Sequence, residues 1–492
     1  MALAGTQSAA LTAGIGDTTR ETRFYPPRVT PPAQRLPLWR FVPAFVRNPL
    51  AVMPEAVYEQ PMVRYDAGKW PTIYVTDPAL IKTIMLDRRD VFERTLIEKR
   101  ILGDLLGNGV LTAQGADWKW QRQIAAPLFR HQDLLGFVPD MVAAAEHQVA
   151  VWRDGVPGTV RQIDSDMTKV TFDVISATLL PGGETHVQPS IERANIDFLG
   201  PISWSLVYAI LNVPRWFPHP GKLRMQAAAN VLRGSVAELI AARRAGQADA
   251  RAKRPDDLMQ RLMDAKDPET GRSMSDEQLI DNLLTFFSAG HETTAKALTW
   301  TLYLLARAPE WEARLVDEIQ RVAGDGPITA AHIDGLTLTT QVIKESMRLY
   351  PPAPVISRIT TADTELGGEP VKAGVQIVIP IYAIHRHKLL WDDPDRFDPM
   401  RFSAEREAAM PRYQYMPFGA GPRICIGMAF AMIEAVAILA TLIRSARFAI
   451  IDDYQPVPVS RVTLRPSHGM PMRVWPRQSR AIDDIAPGDQ ST

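Results

Sequence analysis

Cysteine is almost missing from this chain: Cys425 is the single one in 492 residues. No intramolecular disulfide can form, so the fold must stand on its core, and the cytoplasm is the expected compartment. An excess of either charge is missing as well. Lysine plus arginine number 55 and aspartate plus glutamate 55, which leaves no electrostatic footprint for nucleic acid and excludes a DNA or RNA binder. Apolar runs fall short of the roughly 18 residues that a membrane span takes. The first twenty residues are small and polar, with no basic stretch leading into an apolar one. Neither a transmembrane anchor nor a secretory leader is expected. Internal repeats, Gly/Ser linkers and charge blocks are also lacking, so one large domain is expected in place of the several that length suggests.

The composition that remains is 46% hydrophobic, ample for a large core. A proline-rich lead-in, Tyr25 to Leu38, and a polar tail, Arg477 to Thr492, bracket the chain. The expected division is a flexible segment 1–24, one domain 25–476 and a flexible tail 477–492. Most windows show helical periodicity, with strand-like runs at Met62 to Tyr65, Thr72 to Thr76, Val355 to Thr360 and Gln376 to Pro380. The expected fold class is mainly α with small β-sheets, as a monomer.

Cys425 lies in Phe418-Gly419-Ala420-Gly421-Pro422-Arg423-Ile424-Cys425-Ile426-Gly427. The run Ile426 to Ile443 predicts a helix starting beside the sulfur, where N–H groups and the dipole favour a thiolate. Gly421 and Gly427 permit positive φ or a close approach, and Phe418 can shield the sulfur. Taken alone, a lone cysteine reads as a small buried apolar residue; its neighbours argue otherwise. A second unusual stretch lies inside a predicted helix from Ser275 to Arg307. Ser275 and Gln278 form a capping-box pattern and Pro309 stops the helix. In its middle stands Ala289-Gly290-His291-Glu292-Thr293-Thr294, poor helix chemistry in which the glycine alone costs about 1 kcal/mol. Such breaks mark a kink or a functional site.

The cysteine segment, Phe-x-x-Gly-x-Arg-x-Cys-x-Gly, resembles the haem-binding loop of the cytochrome P450 family, and Ala431 and Glu434 continue the likeness. The resemblance spans roughly residues 40 to 475. It implies a P450 fold and haem b with Cys425 as axial thiolate, with Phe418, Gly421, Arg423 and Gly427 around it. The stretch from Ala289 resembles the family's oxygen-binding block. It implies that Ala289 and Gly290 lie against the cofactor and that Thr293 and Glu292 relay protons, since cleaving O–O needs an alcohol beside an acid. His291 falls at a variable position and is read as structural. Glu345 and Arg348, followed by Arg401, resemble the family's Glu-Arg-Arg network and are assigned to holding the cysteine loop; Met400 replaces the usual Glu there. Trp118, Arg122, Arg358 and Arg423 would neutralise the haem carboxylates, although Trp118 alone also reads as a core aromatic and Arg122 as a solvated charge. His385-Arg386-His387 has no third ligand in reach and is left as surface or packing.

The apolar segment Phe198 to Trp216 falls where the family places its lid helices. With Leu284, Phe287, Ala289, Val355 and Leu464 it suggests a dry substrate pocket, and it equally fits ordinary packing or a lid touching a membrane. Charges between Val91 and Leu111, Arg94 among them, hint at a substrate with one polar end. The resemblance implies a monooxygenase acting on an apolar small molecule with O2. No flavin or iron–sulfur pattern follows the haem segment, so electrons from NAD(P)H would come through a reductase and a ferredoxin or flavodoxin. That partner would dock near Cys425, with Arg122, Lys344 and Arg412 as candidate charges. A peroxygenase or isomerase would share Cys425 but not need Glu292-Thr293; a haem-thiolate sensor would not need an apolar lid.

Overall fold

The computed structural model describes residues 23–477 except 67–70, 96, 180–187, 211–212, 215, 248–255 and 453. The end segments 1–24 and 477–492 lie outside these residues save for Arg23, Phe24 and Arg477. The organising element is the helix Asp276–Arg307, about 48 Å long at 1.5 Å per residue. Its start is set by a complete capping box. Ser275 Oγ accepts from the Gln278 N–H at 3.3 Å, and the Ser275 N–H donates to Gln278 Oε1 at 3.1 Å. Behind the cap the helix is buried on nearly every face beyond Thr294, as a helix crossing a large core must be. It packs most extensively on Ile163–Leu179, and also on Lys222–Gln247, Thr337–Leu349 and Met428–Ser445. Gly290 permits the first of these contacts: a Cβ there would come within 3.1 Å of Ile175 Cδ1.

Met428–Ser445, the helix after the cysteine, starts two residues later than expected. At 18 residues it is long and apolar enough to cross a membrane by composition, which corrects the expectation that no run reaches that length. Phe430, Ile433 and Val436 through Ile443 are buried in the protein core, so its hydrophobicity is used internally.

The four expected strands are present within a residue and share one sheet. Its order is Met62–Tyr65, Thr72–Val75, Gln376–Ile379, Ile356–Thr360 and Phe92–Arg94. All neighbours are antiparallel except Thr72–Val75 with Gln376–Ile379. Two hydrophobic clusters result, one among the helices and a smaller one under the sheet that includes Met85, Met416 and Ala420 beside the cysteine loop. The strands Ala446–Ile450 and Pro471–Pro476 pair antiparallel and complete a second sheet with Val160–Gln162. They carry too few alternating residues, or are bounded by prolines, and give no strand signal in the sequence.

Candidate active site

A cavity of about 450 Å3 lies between the central helix, the cysteine loop and the first sheet. The cysteine loop reaches it by a tight backbone path. The Cys425 N–H donates to Phe418 O at 2.9 Å, and Gly421 has φ +69. A Cβ on Gly421 would stand 2.4 Å from Met85 O, so glycine is required there on two counts. Gly427 is different: its φ is −87, which leaves close approach as the alternative. Its Cβ would meet no protein atom within 4 Å, although it lines the cavity. The room beside it is kept by the backbone, and protein side chains do not fill it.

Cys425 is accessible by surface area yet deeply surrounded by protein. The two agree once the direction is known, because the surface it shows faces the cavity. Burial pushes its thiol up, while the Gly427 N–H and Arg122 pull it down.

The loop is held from behind. Glu345 and Arg348 are both fully buried and pair at 2.6 and 2.8 Å in fork geometry. Arg348 also donates to the carbonyls of His385, Pro394 and Arg396, and Glu345 accepts from the Asp398 N–H. Arg401 stands 3.6 Å from Glu345 and donates to the carbonyls of Asp392 and Asp393. The link from this network to the loop is His385. Its Nδ1–H donates to Arg348 O at 3.2 Å and its Nε2 accepts the Met416 N–H at 3.0 Å. Burial and the neighbouring arginine lower its pKa to about 3, so it is a neutral connector. His385, Arg386 and His387 are all buried, not surface residues.

The sequence-derived cofactor residues Trp118, Arg122, Ala289, Gly290, Arg358, Phe418, Arg423, Cys425 and Gly427 meet on the cavity wall, whereas Gly421 does not line it and instead packs against Met85. Arg423 stacks over Trp118 at 4.1 Å and donates to Ala113 O, which ties Gly115–Ala125 to the cysteine loop. Arg94 also lines the cavity. It was read only as a possible contact for a polar substrate end, and it sits directly across the strand pair from Arg358. Like charges in that relation repel. Of the lining residues Arg94, Arg122, Arg358 and Arg423 are cationic, and Glu292 is the lone carboxylate. The period-2 alternation of Phe92-Glu93-Arg94 carried that signal, but three residues are too few to read.

The Glu292–Thr293 turn opens onto the same cavity. Thr293 Oγ1 donates to Ala289 O at 2.8 Å, back-bonding that satisfies the hydroxyl without breaking the helix. Glu292 Oε1 accepts from Thr463 Oγ1 at 2.8 Å. His291, read as structural, points away. It bonds Phe287 O and Asn195, and its carbonyl accepts from Thr171.

Of the expected substrate-pocket residues, Val355 lines the cavity. Leu284, Phe287 and Leu464 do not; they are buried in the core, with Phe287 edge-on to Phe172 and Leu464 O accepting from the Trp300 indole. The actual apolar wall comes from Leu102, Leu105, Val110, Leu111, Phe129, Ile175, Phe286 and Val462. The apolar segment 198–216 divides: Phe198 reaches the cavity, while Trp204 and Trp216 are exposed. The expected docking charges are likewise redistributed. Arg122 faces the cavity, Lys344 is paired with Glu407 at 2.6 Å, and Arg412, the one left at the surface, lies over Tyr413.

These observations fit haem. A flat apolar body with two carboxylates matches apolar walls, room beside Gly427, a sulfur facing inward and like-charged guanidinium groups side by side. A family model described as cytochrome P450 matches residues 31–470. The chain belongs to the cytochrome P450 family. The P450 is similar to a cytokinin hydroxylase of Arabidopsis thaliana, 32% identical over 83% of this chain and 80% of the relative. It also resembles the cyclooctat-9-en-7-ol 5-monooxygenase of Streptomyces melanosporofaciens, 31% identical over 83% and 86%. The pentalenene oxygenase of Streptomyces avermitilis is 29% identical over 88% and 94%. Relatives named hydroxylase and oxygenase mark the P450 as a monooxygenase.

Proposed function

We propose that this P450 inserts one oxygen atom of O2 into a C–H bond of an apolar organic molecule, in the cytoplasm, with electrons from NAD(P)H brought by a separate ferredoxin or flavodoxin. The observation that carries the reading is that Cys425 and the Glu292–Thr293 turn share one largely apolar cavity. Haem b would be held by Cys425, with Arg94, Arg122, Arg358 and Arg423 available to neutralise its carboxylates, and would supply the activation of dioxygen. The chain supplies everything else. Leu102, Leu105, Phe129, Phe198, Phe286 and Val355 exclude water and orient the substrate. The Thr293 hydroxyl, leaving the Ala289 carbonyl, donates a proton into the cavity and is recharged by the Glu292 carboxyl. Cyclic terpenoids are the first class to test, in line with the relatives named for pentalenene and cyclooctat-9-en-7-ol.

The test is turnover with a ferredoxin, its reductase and NADPH over a panel of cyclic terpenoids chosen by spectral binding shift. Product formation that needs the redox chain supports a monooxygenase; product formed with peroxide alone supports a peroxygenase. Thr293→Ala is expected to leave substrate binding unchanged and to lower coupled product formation about a hundredfold, the low end of a positioned proton donor's worth, with the NADPH consumed going to peroxide. Coupling equal to wild type would remove Thr293 from the relay.

A further inference from the structure

Behind the Glu292–Thr293 turn the central helix carries a lysine on a face otherwise given to the core. Lys296 is only 6% exposed and stands four residues after Glu292, the spacing that stacks two side chains on one helix face. Its ammonium donates to Thr168 Oγ1 at 3.2 Å. Thr168 Oγ1 donates onward to Asp164 O at 2.6 Å, and the Asp164 carboxylate accepts the Met470 N–H at 3.0 Å. Polar groups thus run from Lys296 along the first turns of Ile163–Leu179 to the half-buried Asp164. On the other side, Glu292 is bonded to Thr463. A buried ammonium resting on a neutral hydroxyl is an unfavourable arrangement unless it serves something.

We propose that Lys296 reloads Glu292 with protons. The ammonium leaves Thr168, swings on its four-carbon stem to the ionised Glu292 carboxylate and gives it one proton. An N–H bond breaks, an O–H bond forms, and the neutral amine returns to Thr168, where a solvent proton arriving past Asp164 restores the ammonium. Lys296 acts through Glu292 and touches neither substrate nor cofactor. The charged groups that face it are Glu292 on its own helix, Asp164 on Ile163–Leu179 and Arg465 on Leu464–Pro466. The two carboxylates hold the proton on; burial, the largest influence, and Arg465 loosen it. A lysine whose ammonium is destabilised in this way gives up a proton more readily than an exposed one, which an arginine cannot do.

The inference rests on the relay reading of Glu292 and Thr293, and the experiment separates the two. Lys296→Met and Lys296→Arg are compared with wild type in the terpenoid assay, in H2O and D2O, after the reduced carbon monoxide spectrum has verified intact haem ligation. Both are expected to lower coupled turnover about tenfold, less than the roughly hundredfold worth of a direct proton donor, to raise the solvent isotope effect and to leave the substrate KM unchanged. Arginine restoring wild-type turnover would show that charge alone matters and overturn proton donation, as would an unaffected Lys296→Met. Normal loss in Glu292→Gln and Thr293→Ala beside an innocent Lys296→Met defeats this inference alone, whereas no loss in those two defeats the relay itself. Independently of any substrate, the Lys296 ammonium of the 15N-lysine-labelled carbon monoxide complex, assigned by its disappearance in Lys296→Met, is expected to titrate below the usual lysine range. Titration in the ordinary range would also refute the proposal.

Discussion

Replacing Glu434 with glutamine removes an ionisable group from a place where ionisation is costly. Glu434 lies in Met428–Ser445 and is 1% exposed. Burial pushing its carboxyl up outweighs the opposing pull of Thr294 on the central helix, and the net value rises from 4.5 to about 8. A folded-state value above the unfolded one means that the folded protein keeps a proton that the unfolded chain releases. The contribution of this group is therefore fully favourable below the unfolded value and is lost as pH rises towards 8. The loss accrues at about 1.4 kcal/mol per pH unit and reaches about 3 kcal/mol at pH 7. Glutamine has the same shape and does not titrate. Glu434→Gln should match wild type within about 1 kcal/mol near pH 5, be more stable by about 3 kcal/mol at pH 7 and gain little more above pH 8. Urea unfolding of haem-matched proteins, followed by tryptophan fluorescence across that range, reads the difference directly. A difference that does not change with pH would refute the claim that Glu434 is protonated in the fold.

Gly421→Ala places a Cβ against Met85 O in a positive-φ backbone, so the cysteine loop must shift; a loss of about 2 kcal/mol or more is expected, with reduced haem retention read from the Soret absorbance per protein. Ser275→Ala opens the capping box of the central helix and should cost about 1 kcal/mol in thermal or urea unfolding, while leaving coupling untouched because the cap is some 26 Å of helix away from Thr293.

Much of this molecule is legible in its sequence because the relevant rules are local. The capping box, the end of the helix before Pro309 and the four strands each depend on residues close together in the chain. So does the cluster around Cys425, whose meaning comes from flanking residues and not from the sulfur. What escaped is set by tertiary contacts. Leu284 and Phe287 obey the same 3.6-residue pattern as Phe286, and nothing local says that Phe286 faces the cavity while its neighbours face the core. Arg94 looked like one charge in a charged connection. Its partner across the sheet, Arg358, is 264 positions away, and only strand pairing puts the two cations on one wall. Gly427 and Gly421 share a motif but have different reasons to be glycine.

His385 shows the same division at the level of chemistry. In sequence, two histidines flanking an arginine with no third ligand in reach read as surface or packing. In the fold, desolvation and Arg348 keep the first of them neutral, and neutrality is what its role requires. One ring nitrogen must donate to Arg348 O and the other must accept the Met416 N–H, which an imidazolium cannot do. The buried Glu345–Arg348 pair is thereby connected to the backbone two residues before Phe418. Breaking such a pair typically costs about 3–5 kcal/mol, so the loop that presents Cys425 is anchored by a unit that cannot rearrange cheaply. The costly features of this chain, a raised acid at Glu434, an interior lysine at 296 and adjacent cations at 94 and 358, border or lie just behind the cavity. Stability comes from the apolar helices around them, and the local violations gather at or just behind the wall of that cavity.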